Sequence, residues 1–65
     1  MTEKQARQRM TGLGHQVKEV VGPDANGEYA VRTDWGNYVV SDAGGVEQAH
    51  RTWSDLLAAG EASFR

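Results

Sequence analysis

Apolar and polar positions change rhythm along this chain, and each change marks an element. Ala6, Met10 and Leu13 recur at i, i+4 and i+7 behind Thr2 and Gln5, a pair with the form of a capping box, so the spacing predicts a helix from about Glu3 to Thr11. Gly12 and Gly14 bracket Leu13 and supply the conformational freedom that closes a helix. From His15 to Val21 the residues alternate, with Val17, Glu19 and Val21 on one side and Gln16, Lys18 and Val20 on the other, as in a half-buried strand.

Gly22-Pro23-Asp24-Ala25-Asn26-Gly27 is dense in turn formers and ends in the Asn-Gly pair of tight hairpins. A second strand follows over Glu28 to Thr33, with Tyr29, Val31 and Thr33 on one face, and a third over Tyr38 to Ser41, joined by Asp34-Trp35-Gly36-Asn37. Three strands so linked form an antiparallel meander, which needs an apolar cover on one face. Val46, Ala49, Trp53, Leu56 and Leu57 fall at helical spacing, with Glu47, Gln48, Arg51 and Asp55 opposite them, and predict that cover as a helix ended by Gly60. Gly44 with Glu47 gives it a weak capping arrangement, with Asp42 or Ser41 as other candidate caps. Phe64, in the tail Glu61 to Arg65, either tucks against the core or forms a short edge strand. The expected fold is α+β over residues 1–65, one small domain in the order helix, three antiparallel strands, helix (αβββα).

A composition of 38% hydrophobic and 25% charged residues fits a folded domain. A chain of this size buries only about 60% of the surface its unfolded form exposes, so its stability margin is narrow. The sequence contains no cysteine, which removes disulfides, thiolate catalysis and Cys-based zinc sites. The apolar runs, such as Leu56 to Ala59, are far too short to span a bilayer, and the N-terminus has no apolar stretch of signal-peptide length. A cytoplasmic protein without membrane contact is the expectation.

Charge is divided along the chain. Residues 1–18 hold Lys4, Arg7, Arg9 and Lys18 against Glu3, whereas residues 19–61 hold eight acids against Arg32 and Arg51, within a formal net charge of −2. A basic head on an acidic body directs the two ends to different partners.

Catalytic chemistry finds little to work with. The only histidines, His15 and His50, lie in no motif, and Ser41, Ser54 and Ser63 sit in no Gly-x-Ser-x-Gly elbow. Glu47 and His50 have the i, i+3 spacing of helical di-iron ligands, but no second such pair exists to complete a site. Gly12-Leu13-Gly14 and Gly44-Gly45 lack the continuation that cradles phosphate. The expectation is no enzyme, no cofactor and no metal.

For nucleic acid, the element order resembles that of double-stranded RNA-binding domains, in order only. Where that family presents lysines at the start of its second helix, this chain reads Gly45-Val46-Glu47-Gln48-Ala49-His50-Arg51, with an acid in their place. A basic sheet face, as in sheet-plus-helix DNA readers, is opposed by Glu19, Glu28, Asp34 and Asp42 around Lys18 and Arg32. What remains of a nucleic-acid-binding module is Lys4, Arg7 and Arg9 on the first helix, with Lys18 and Arg32 assisting.

Trp35 and Tyr38 flank a short turn. Trp35 either protrudes as an interface anchor or folds back over the sheet edge or against Trp53. The leading expectation is a non-catalytic protein-binding domain that occupies a basic surface of a larger partner, anchored by Trp35 and Tyr38 with Asp24, Glu28, Asp34 and Asp42 around them. Small acidic domains without an active site are a class that includes phage-encoded inhibitors, such as anti-CRISPR and anti-restriction proteins, although no motif here matches such a family. A third class is an assembly unit: a sheet covered by a helix on one face leaves the other face for a homodimer.

Overall fold

A computed structural model describes all 65 residues, arranged as α1 (Glu3–Gly12), β1 (Val17–Val21), β2 (Tyr29–Thr33), β3 (Gly36–Val40), β4 (Val46–Gln48) and α2 (Trp53–Ala59). The strands form one antiparallel sheet in the order β1-β2-β3-β4. The α+β class and the antiparallel meander are therefore present, but with four strands rather than three.

The capping box closes the start of α1: Thr2 accepts the Gln5 amide at 3.2 Å, and the Gln5 side chain accepts the Thr2 amide at 2.8 Å. Ala6 and Met10 are buried from this helix, whereas Leu13, at its C-cap, is exposed. Against the sheet they meet Val20, Tyr29, Val31 and Val40, with Val17, Tyr38 and Val46 at the margin.

Strict alternation would send Val17 and Val20 to opposite faces. A register shift between Val17 and Glu19 inserts an extra residue, Lys18, opposite β2, and both valines join the α1 side. Downstream, Glu19 pairs with Arg32 and Val21 with Ala30, which puts them on the other face.

That other face carries a second cluster, Ala30, Val39, Leu56 and Phe64, flanked by Val21, Ala49, Trp53 and Ala59. The sheet thus lies between α1 on one side and α2 with the C-terminal tail on the other. The open face expected for a homodimer is the one α1 covers. Phe64 takes the first of its two expected places and is buried.

The long second helix is the main departure. Ser41 accepts the amide of Gly44 on its carbonyl and that of Gly45 on its hydroxyl, and its own amide donates to the Gly45 carbonyl at 2.8 Å. This turn folds the chain back along β3, so Val46 opposes Val40 and Gln48 opposes Tyr38. The helical spacing of Val46 with Ala49, Trp53 and Leu56 joins side chains from two different layers: Val46 packs on the α1 side, the others on the α2 side. The helix begins only after Thr52, whose hydroxyl accepts the Asp55 amide at 3.2 Å and serves as the N-cap in place of Gly44, Asp42 or Ser41. Gly60 ends it as expected.

Candidate functional site

In an antiparallel meander the turns alternate between the two ends of the sheet. The β2–β3 turn and the α1–β1 link share one end; the β1–β2 and β3–β4 loops share the other. The expected site residues divide between these ends.

Trp35 occupies the tip of the β2–β3 hairpin, where Asp34 and Trp35 alone separate the paired residues Thr33 and Gly36. The residue is 72% exposed and does not fold back on Trp53, which instead lies 6.0 Å below the Arg32 guanidinium. The tip is held on both flanks. The buried Thr33 hydroxyl donates to the Gly36 carbonyl at 2.8 Å and accepts the Trp35 amide at 3.1 Å. Asp34 accepts the Gln16 amide on its carboxylate at 3.0 Å, and its own amide donates to the Gln16 carbonyl at 3.2 Å. These bonds fix the backbone of the tip in one conformation, and a preformed tip lowers the entropy cost of presenting the indole.

Tyr38 is not a free neighbour of Trp35. It packs at the margin of the α1-side core, and its ring centroid lies 4.8 Å from that of His15. Leu13, also exposed, sits in the link at this same end.

The carboxylates expected to surround Trp35 are mostly elsewhere. Asp24 is buried in the β1–β2 loop, where its Oδ1 accepts the amides of Asn26 and Glu28 and its Oδ2 accepts that of Phe64. Glu28, also buried, pairs with Arg65, which pairs in turn with Glu47. Asp42, exposed on the β3–β4 loop, pairs with the N-terminal ammonium at 2.7 Å. Only Asp34 stands beside Trp35. The two carboxylates beside the Arg65 guanidinium push it above its already alkaline range through their hydrogen bonds, that of Glu28 first.

The basic residues are not gathered either. Arg7 and Arg9, two apart on a helix, point away from each other, and Arg7 pairs with Glu3 at 3.8 Å. Arg9 faces the β3–β4 loop, near Gln5 and Gly44. Lys4 is exposed on α1, Lys18 stands on the bulge, and Arg32 lies on the opposite sheet face, paired with Glu19 at 3.6 Å. Duplex phosphates would meet these five side chains from different directions.

Glu47 and His50 do not share a helix, since Glu47 is in β4 and His50 in the link that follows. No group of three or more His, Asp or Glu residues converges on a point where a metal ion would sit. Sequence reasoning passed over Thr33 and Gln16, which brace the tip; a threonine just before a turn is the one available signal. The chain matches no protein-family model, and comparison with curated proteins and with solved structures finds no similar chain.

Proposed function

We propose that this chain is a non-catalytic protein-binding domain that acts by occupying a surface of a larger partner, with Trp35 as its principal anchor. The observation that carries this reading is a 72% exposed tryptophan on a hairpin tip braced by Thr33, Asp34 and Gln16. A large aromatic held rigidly in water gains contact area on docking without first losing backbone freedom, which is the property of interface hot spots. Leu13, also exposed, lies in the α1–β1 link at the same end of the sheet.

Steering toward a basic partner rests on the net charge of −2 and on Asp34, Asp55 and Glu61, acids with no ion-pair partner in the fold. In its narrowest form, the partner is a host nucleic-acid-binding machine, such as a CRISPR or restriction complex, whose basic surface the domain blocks.

The test is affinity capture from the native host with the intact chain and with Trp35→Ala and Trp35→Phe variants, followed by mass spectrometry. A partner recovered by the intact chain, lost with alanine and partly kept with phenylalanine supports the anchor. Equal recovery by all three chains removes it. For the narrow form, an excess of protein that leaves the DNA binding of such nuclease complexes unchanged removes the inhibitor reading.

A further inference from the structure

At the end of the sheet opposite Trp35, the β1–β2 loop and α2 stand apart and leave an open groove of about 670 Å³. Val21, Pro23 and Leu57 line it above the buried Leu56 and Phe64. Leu57 is half-exposed here, and it is the outward-facing apolar residue of a seven-residue helix whose partner Leu56 already fills the core. The layer beneath is thin, because the sheet contributes only Ala30 and Val39 to the fully buried cluster.

Hydrogen bonds hold one side of the groove to its floor. Asp24 accepts amides from its own loop and from Phe64 of the tail, and the Ala25 amide donates to the Ala62 carbonyl at 3.4 Å, so the β1–β2 loop is tied to the tail that follows α2. A ligand would meet a preformed surface and would not have to order one.

Charge selects among the occupants. Asp24 and Glu61 line the groove, and no lysine, arginine or histidine does. Asp24 is buried and satisfied, whereas Glu61 is exposed and has no ion-pair partner. A second copy docked groove to groove would bring two acidic linings together with no lining cation to oppose either, and an anionic lipid surface meets the same repulsion.

We infer that this groove is a second docking site, which takes an aliphatic or aromatic side chain of a partner segment flanked by lysine or arginine. It does not depend on the tip, because the two lie at opposite ends of the sheet.

The test is an amide chemical-shift titration of the full chain with two capped hexapeptides. One has two leucines flanked on each side by two lysines; the other has glutamates in place of the lysines. The basic peptide should move the amides of Leu57, Gly60, Glu61 and Phe64 saturably, in the millimolar range of weak peptide contacts, and the acidic peptide should not. Glu61→Lys should weaken the basic peptide by about two- to fivefold, the size of one exposed ion pair, and favour the acidic one. Leu57→Gln, at a half-exposed position and with no change of charge, should abolish the shifts. Trp35→Ala should leave them unchanged, so loss of the tip anchor and loss of the groove are separately visible. Equal response to both peptides, or none, overturns the inference. Movement of the same amides with protein concentration alone would assign the groove to a second copy, and movement with phosphatidylglycerol vesicles to a membrane; either overturns it as well.

Discussion

The backbone amide of Phe64 donates to Oδ2 of Asp24 at 3.1 Å across forty residues of chain, and this bond joins the C-terminal tail to the first hairpin loop. Asp24 has the composition of a turn residue, yet its carboxylate is an internal acceptor for three backbone donors. The tail is thereby part of the fold: Phe64 closes the α2-side cluster, and Arg51 reinforces it by donating to the Ser63 carbonyl at 3.0 Å.

Asp24→Ala should accordingly destabilise the domain by about 3 kcal/mol, since it strips a charged acceptor from three amides, at least two of them in buried surroundings. That is a large share of the roughly 3–10 kcal/mol available to a chain of this length. Asp24→Asn, which keeps one acceptor oxygen, should fall between the variant and the wild type. Urea unfolding followed by circular dichroism measures both, and a loss below about 1 kcal/mol for alanine would contradict the assignment.

Arg65→Ala leaves Glu28 as a buried carboxylate without its cation, and Glu28 Oε1 already has no hydrogen-bond partner. The expected cost is about 1–3 kcal/mol, most of it from the stranded Glu28 and little from the exposed Glu47. The Arg65 pKa is raised on folding, so its stabilisation is fully present below the unfolded value and is lost only as pH rises through the higher folded value. The stability difference between wild type and variant should therefore show no loss of the arginine's charge between about pH 7 and 10, where an arginine stays protonated. A difference that vanishes toward pH 10 would show that Arg65 is not the group responsible.

Two glycines should respond oppositely to alanine. At Gly22, φ is +134° and an added Cβ would lie 2.9 Å from the Glu28 carbonyl oxygen, so Gly22→Ala should cost about 2 kcal/mol. Gly12 is helical, exposed and has no neighbour within 4 Å of that position, so Gly12→Ala should stabilise by about 0.5–1 kcal/mol. Thermal midpoints moving in the same direction would refute the pairing.

Trp35→Ala should leave stability within about 0.5 kcal/mol of wild type, because the exposed indole supports no part of the core. It should remove the red-shifted, acrylamide-quenchable part of the fluorescence and leave the emission of Trp53, which is half-buried beside Arg32. A large fall in stability would mean that the indole packs against the domain.

What the residues announce on their own is local. The capping box of Thr2 and Gln5, the turn from Gly22 to Gly27, the strand periodicity around Tyr29 to Thr33 and the stop at Gly60 each depend on neighbours within a few positions, and each stands where the spacing puts it. Where the outcome depended on distant partners, spacing misled. Val46 to Gln48 carry a pattern open to helix or strand, and pairing with β3 decided for strand. The bulge at Lys18 was invisible because only the registry with β2 reveals an extra residue. Asp24, Glu28 and Asp42 read as surface charge, since composition cannot show that a carboxylate will meet the tail, Arg65 or the N-terminus.

The exposure of Trp35 belongs to the same class: the residues around it permitted either burial or display, and the brace from Thr33 and Gln16 selected display. Sequence alone thus determined the class of the fold, the turns before β3 and the division of charge, all consequences of short-range backbone preference and composition. Tertiary structure alone decided the fourth strand, the two-sided covering of the sheet and which charges remain free, because burial and pairing are set by residues that only folding brings together.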